Sequence, residues 1–580
     1  MDFTEEQKLY LEGFGRALAA ARGAQAAPSE PAGPERIHFA AQNRVLAAGG
    51  KLVKEEEAKR AKHPFEMWDE IAANAARGEF PKGTDVFLYK FHGLFHVAPA
   101  QNSFMLRLRN PNGILDSHKL RAVAAIAEDC GGSYAHVTTR ANLQIREIAP
   151  KHALRVLERL AEAGLTSRGA GADNIRNITG NPTAGIDPLE LFDTRPLGLE
   201  LYHTILNHRE LYGLPRKFNI AFDGGGRVAS LEDTNDIGFS AARVGPGKAV
   251  PEGVYFRVAV GGITGHGDFA RDLGVLVTPE RCVPVAVAIV RVFIDEGDRT
   301  DRKRARLKYV LDRLGLERFL VETEKRLAAP LSRLSLAECE PRPPFARGTH
   351  VGFHAQRQSG RVYCGVALPV GKMTAVQMRG IADIAERRGS GTIRLTPWQN
   401  LIVSDIAQTD RAAVAEALVA IGLSADASPI RAGIVACTGN TGCKFSASDT
   451  KRHALAIAEH LDARLAVDTP LNIHLTGCPN SCAQHTVGDI GLLATKIAAA
   501  DAEIEGYHLF AGGGFGDRRG LGCEILRDIP ADEVPQALEG LLRAYLGRRN
   551  SPEENFQEFA KRHGAEALRD FARAKLAEAA

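Results

Sequence analysis

Four of the nine cysteines in this 580-residue chain fall in two short glycine-bearing stretches, ACTGNTGCKF at 436–445 and TGCPNSCAQH at 476–485. Their spacing is C-x5-C for Cys437 and Cys443, then C-x3-C for Cys478 and Cys482. Clustered thiols in a reducing compartment hold metal more often than they form disulfides. A structural zinc site pairs cysteines at closer spacing on tight knuckles, which C-x5-C fits poorly. A cubane iron–sulfur cluster is larger than a zinc ion and accepts thiolates from wider loops. Spacing therefore favours the cluster, while zinc and four unrelated thiols stay open. Glycine and threonine neighbours leave backbone N–H groups free to point at sulfur, and Pro479 sets the chain direction between Cys478 and Cys482. Cys130, Cys282, Cys339, Cys364 and Cys523 are scattered and read as packing residues.

The elements that must carry these thiols are written twice. The stretch beginning FMLRLRNPNG at Phe104 lies over the one beginning YCGVALPVGK at Tyr363, with Pro111, Gly113, Asn142 and Gly164 matching Pro369, Gly371, Asn400 and Gly422 at one offset of 258. Each copy reads as a strand, a Pro/Gly turn, an amphipathic helix, a second strand and a second helix. The register continues through NITGN at 177–181 over ACTGN at 436–440, KFNIAF over PLNIHL, NDIGF over GDIGL, and the glycine turn near Gly261 over that near Gly513. The first copy keeps the Thr-Gly-Asn loop and has no cysteine in it. A cleft between pseudo-symmetric halves is a frequent place for a ligand, with metal on one half and substrate groups on the other.

Bulk composition excludes two partner classes. A net charge of +3 with 25% charged residues lacks the basic excess of a nucleic-acid binder. The longest apolar run, VPVAVAIVRVFI, is broken by Arg291 and is too short to span a bilayer. The N-terminus opens on acidic residues without secretory or transit character, so a cytoplasmic location is expected. APSEPAGPE at 27–35 reads as a linker after an N-terminal helix, and the mixed-charge segment 51–64 reads as a solvated helix.

With C-x5-C followed by TGCPNSC, the chain resembles the assimilatory nitrite and sulfite reductase family from about residue 80 to its end. The resemblance implies siroheme coupled to a 4Fe-4S cluster, with Cys437, Cys443 and Cys478 as cluster ligands and Cys482 both ligating the cluster and bridging to the siroheme iron. Arg107 in FMLRLRNPNG, Arg176 in NIRN, and Arg216, Lys217 and Asn219 in LPRKFN match the family's substrate-side motifs. Arg107, Arg176, Lys217 and Asn219 are the expected catalytic set. Arg140 and Arg146 in TTRANLQIR match residues near the siroheme carboxylates, with Arg216 assigned to the cofactor as well. Gln399 and Asn400 in LTPWQNL, Asn440 in the TGN loop, and Arg518 or Arg519 in FAGGGFGDRRG are placed beside the cofactors, although Gln399 and Asn400 also suit a strand-end polar cluster. That glycine turn lacks the Gly-Lys-Ser/Thr ending of a phosphate loop. Burying a polycarboxylate cofactor with an oxyanion requires such cations.

The resemblance further implies an internally duplicated, pseudo-two-fold α+β fold. It consists of a helical extension and linker over 1–80, ferredoxin-like half-domains at 81–165 and 341–425, and larger α/β domains at 166–340 and 426–580. Asn219 stands where the sulfite branch commonly has a second lysine, and CPNSCAQ differs from the CPNGCGR of that branch, so nitrite is the favoured substrate and sulfite the alternative. A precorrin-ring oxygenase is normally shorter. A zinc-stabilised binding module without catalysis is the alternative from another class. Because no flavin or nicotinamide fingerprint is evident, a separate protein must deliver electrons; the family implies ferredoxin, acting on a monomer.

Overall fold

The computed structural model describes residues 33–499 and 502–579; the expected N-terminal helix and most of the linker at 27–35 lie outside them. Twenty strands fall into four groups of five. The first group is β1 (Leu94–Val97), β2 (Ser103–Arg107), β3 (Ile114–Asp116), β4 (Tyr134–Val137) and β5 (Leu143–Ile148). The next is β6 (Ile220–Asp223), β7 (Ile237–Val244), β8 (Gly253–Val260), β9 (Arg271–Val277) and β10 (Ser332–Arg333). The second copy repeats the small unit with β11 (Gly352–Ala355), β12 (Arg361–Val366), β13 (Lys372–Thr374), β14 (Thr392–Leu395) and β15 (Leu401–Ala407). It closes with β16 (Ile434–Ala436), β17 (Ile473–Thr476), β18 (Ile490–Ala499), β19 (Ala502–Ala511) and β20 (Cys523–Pro530). Where the sequence reads as one second strand in each small unit, the chain makes a hairpin. Ala141 (φ 45°) and its counterpart Gln399 (φ 61°) turn it in the left-handed region, and Thr138 N–H donates to the Asn142 carbonyl at 2.9 Å.

The two small units are not separate bodies. Their sheets run β1-β2-β5-β4-β13 and β11-β12-β15-β14-β3, so each takes its fifth strand from the other copy. β13 pairs antiparallel with β4, and β3 with β14. Helix Ser117–Cys130 is capped by Asp116, which accepts from Lys119 N–H at 2.8 Å. Its counterpart Ala375–Arg388 starts in a capping box of Thr374 and Gln377. These helices lie against each other through two reciprocal ion pairs, Arg121 with Glu386 and Arg379 with Glu128. A single apolar core joins both units, from Phe104 and Val123 through Met373 and Ile381.

The larger units each hold one sheet and their own core. Their orders are β10-β9-β8-β7-β6 and β16-β17-β18-β19-β20. β6 and β7 pair in parallel, as do β17 and β18, and the following strands are antiparallel. Only the second copy builds a strand, β16, directly before Cys437; its first-copy counterpart is reduced to bridges such as Ile175 with Phe218. VPVAVAIVRVFI forms the buried helix Cys282–Glu296, and among the described residues no helix is long and apolar enough to cross a membrane.

Two expectations are corrected. Residues 51–64 do not form a solvated helix: within Lys54–Ala61, Glu56 is 0% and Lys59 9% exposed. Composition shows the charges but not their partners, which lie more than a hundred residues away in Arg299 and Asp173. Cys523 is exposed, because the first residue of edge strand β20 points outward; the other four scattered cysteines are buried.

Because the small units share one core, Leu115→Ala (2% exposed in β3) should cost about 2–5 kcal/mol. Amide hydrogen exchange should then show residues 94–165 and 352–423 losing protection together; loss confined to one segment would refute the shared unit.

Candidate functional site

A cavity of about 690 Å³ opens between the first small sheet, the loops of the first larger unit and the cysteine loops of the second copy. Among the described residues, seven arginines and three lysines line it, and no aspartate or glutamate does. β2 ends on Arg107, and the β4–β5 turn supplies Arg140. Arg176, Arg216 and Lys217 come from the chain ahead of β6, and Arg302, Lys303, Arg304 and Arg306 from one loop. Lys451 enters from helix Thr450–Asp462. Cys482 and Cys437 lie in the same wall.

The cysteine loops are shaped by close approach. A Cβ on Gly477 would sit 1.9 Å from Ser446 Oγ, so only glycine fits, and its N–H donates to Cys437 Sγ at 3.1 Å. Gly439 (φ 77°) passes against Thr450, where a Cβ would be 2.9 Å from the backbone nitrogen. Arg146 holds the first loop from β5, donating to Thr438 Oγ1 at 2.6 Å and the Gly442 carbonyl at 3.4 Å. Thr139 Oγ1 donates to the Cys482 carbonyl at 3.0 Å. Burial, then nearness to Cys482, pushes the Cys437 thiol up; burial, Cys482 and Cys443 do the same at Cys478. The thiols thus sit within electrostatic reach of one another. Among the described residues no three His, Cys, Asp or Glu gather tightly enough for a single metal ion.

Charge is held in the cavity at a cost in desolvation. Burial, followed by repulsion from Arg306, lowers Lys217 to about 7, and burial with Arg146 lowers Lys451 to about 7. Burial brings Arg107 and Arg140 to about 10 and drives Arg176 well down. Arg176 donates to the Ala170 and Ala172 carbonyls at 2.8 and 2.6 Å, leaving Nε without a partner. Carboxylates stand behind the wall: Asp173 takes Arg302 at 2.8 Å, and Asp236 takes Arg306 at 2.7 Å.

Comparison with known proteins agrees with this geometry. The family description "Nitrite and sulphite reductase 4Fe-4S domain" matches residues 171–331 and 430–579. "Nitrite/Sulfite reductase ferredoxin-like half domain" matches 96–163 and 354–421. The chain belongs to the nitrite and sulphite reductase family. Among its relatives, the ferredoxin–nitrite reductase of Synechococcus elongatus is 34% identical over 514 residues, covering 87% of this chain and 98% of that one. The assimilatory ferredoxin-dependent nitrite reductase of Haloferax mediterranei is 33% identical, covering 83% and 86%. The structure of the Mycobacterium tuberculosis NirA protein superposes with a TM-score of 0.83 at 27% identity, over 90% of this chain and 99% of that one.

The donor set of this family member suits a polycarboxylate tetrapyrrole, because ten cations face one space. Arg107, Arg140, Arg176, Arg216, Lys217, Asn219 and Gln399 all line the cavity. Arg146 does not; it grips the cysteine loop instead. Asn400 is occupied by Leu368 N–H and the Ala432 carbonyl, both at 2.9 Å, and Asn440 by Glu505. Gln399 also clamps Ala436, at 2.9 and 3.0 Å, one residue before Cys437. Arg518 pairs with Asp517 at 3.9 Å and Arg519 lies over Phe269, both away from the cavity. The first-copy glycine turn, with Thr264, Gly265 and His266, lines it instead.

Sequence reasoning missed Lys451 and the loop at 302–306. The run RKRAR was its visible signal, but an isolated charge run reads as solvated surface. The pseudo-symmetric counterpart of the cavity is packed shut. Trp398 stands at the register position of Arg140, Gly365 at that of Arg107, Pro470 at that of Lys217 and Ala229 at that of Cys482. Trp398, Phe515 and Val228 form an apolar cluster there, leaving about 10 Å³.

Lys217 fixes a pH dependence. With its pKa near 7 in the free cavity, the amine is neutral above that pH, and an anion must bring a proton back to it. Sulfate affinity of the cofactor-free protein, measured by calorimetry, should fall as pH rises through 7 to 9, with proton uptake on binding. Lys217→Met should remove about one proton of that uptake, leaving the share of Lys451.

Proposed function

We propose that this chain is a ferredoxin-dependent nitrite reductase catalysing the six-electron reduction of nitrite to ammonium. The observation that carries the reading is the wall of ten cations without a carboxylate, shared with the sulfur of Cys482. When bound, siroheme and a 4Fe-4S cluster supply the iron that takes the anion and the path for electrons arriving singly. Cys437, Cys443, Cys478 and Cys482 would hold the cluster, and Arg140, Arg216 and the cations of 302–306 would pair with the macrocycle carboxylates.

Arg107, Arg176 and Lys217 line the cavity, where they would bind an oxyanion and stabilise the charge that develops on its oxygens. Lys217, near neutrality in pKa, can release a proton as an N–O bond breaks and recover it from solvent. Phe95 covers the Arg107 guanidinium at 4.5 Å and keeps water from its outer face. Asn219, 3% exposed, offers a neutral amide where a second lysine would add charge; this supports nitrite, a monoanion, over sulfite. The relatives named ferredoxin–nitrite reductase support the same donor and substrate. The reading extends to a monomer acting in the cytoplasm.

The purified protein should show siroheme absorption bands and iron with acid-labile sulfide. Zinc in their place would sink the proposal. Cys482→Ser should lose the cluster and its coupling to the haem spectrum. In competition assays kcat/KM for nitrite should exceed that for sulfite. Asn219→Lys should move the ratio toward sulfite by about tenfold, or about 1.4 kcal/mol; an unchanged ratio would remove Asn219 as the discriminating residue.

A further inference from the structure

Residues 33–95 precede every segment matched by the family descriptions, yet one helix of this extension reaches the back of the cavity. Three contacts join it to the loop that carries Arg302, Lys303, Arg304 and Arg306, and a fourth link runs through Asp173. Val53 N–H donates to the Arg299 carbonyl at 3.0 Å. Glu56, itself 0% exposed, accepts from Arg299 at 2.6 Å and from Gln42 at 2.9 Å. Glu55 lies 3.5 Å from Arg302. Lys59 donates to the Leu214 carbonyl at 2.9 Å and the Gly213 carbonyl at 3.2 Å, and its ammonium stands 3.6 Å from Asp173. Asp173 in turn takes Arg302 through two bonds, at 2.8 and 2.9 Å, and lies 3.7 Å from Arg216.

Resting on the anion-binding reading of the cavity, we propose that Glu55, Glu56 and Lys59 of the N-terminal extension are positioning residues that set the anion affinity of the cavity through the loop at 299–306. A buried carboxylate attracts every cation in reach, and Asp173 has three. Lys59 balances part of its charge from the side away from the cavity. Without that ammonium, Arg216 and Arg302 are drawn inward to Asp173, which lowers the positive potential that the oxyanion meets at Arg107, Arg176 and Lys217. Glu56 anchors Arg299 and so fixes the first residue of the loop. A positioning role lowers affinity for the anion and leaves the bond-breaking groups Arg107, Arg176 and Lys217 in place. That separates it from a general loss of fold.

The test uses the cofactor-loaded full chain and titrates nitrite by its effect on the visible spectrum, beside steady-state kinetics and thermal unfolding. Lys59→Met should weaken nitrite binding and raise KM by about tenfold, keep kcat within about twofold, and speed amide exchange over residues 299–306. Lys59→Arg should restore both. If Lys59→Met does not fold, Glu55→Gln, at the rim of the network, should release Arg302 toward the cavity and lower KM by about threefold with kcat unchanged. A lowered Tm with unchanged affinity and exchange overturns the proposal. Lys217→Met separates the two levels. If it weakens nitrite while Lys59→Met does not, only the positioning role falls; if neither does, the cavity is not the anion site and both readings fall.

Discussion

Ten like charges around one cavity are the constraint on which the structure turns. Eight of these cations are buried or half-buried, Lys303 and Arg304 are exposed, and among the described residues no carboxylate lines the cavity beside them. Left alone, such a set would collapse, expel its charges to the surface or lose protons. The protein holds it from behind. Backbone carbonyls of Ala170 and Ala172 take Arg176, Asn235 takes Arg140, and the buried carboxylates of Asp173 and Asp236 take the loop and its neighbours. Burial, and after it repulsion from Arg306 and Arg146, lowers the pKa of Lys217 and Lys451. A bound polyanion would offset both.

Duplication supplies the scaffold that can bear this load. Two small units exchange strands β3 and β13 and share one core, which fixes the angle between the halves without relying on flexible linkers. Symmetry alone would give two equal clefts. The chain charges one and fills the other, setting Trp398, Pro470 and Ala229 where the first has Arg140, Lys217 and Cys482. Apolar packing at the second cleft, with His350 stacked on Trp398 at 4.6 Å, adds stability that the charged one lacks.

The cysteine loops belong to this arrangement through particular contacts. Gly477 lets its N–H meet Cys437 sulfur where any side chain would strike Ser446. Gln399 fixes Ala436, and Arg146 fixes Thr438, so residues on both sides of Cys437 are tied to opposite small units. The thiols therefore sit at the junction of both copies.

Much of this was legible in the residues. The 258-residue offset was visible in Pro111 and Pro369, Gly113 and Gly371, and the strands start at that same offset, as at Leu94 and Gly352. The cysteine spacing marked the loops, and Arg107, Arg176, Lys217 and Asn219, each carried by a local motif, line one cavity. Strand exchange left no local trace, since a three-residue strand pairs through its backbone with whatever edge is near. Arg146 and Asn440 looked alike as candidates for the cofactor, and only their neighbours Thr438 and Glu505 show what they hold. The charge run at 302–306 and the helix at 54–61 each read as solvated surface. Sequence alone determined which residues carry charge and sulfur; the tertiary structure decided which charges face one another across one cavity, because burial and pairing depend on partners brought from hundreds of residues away.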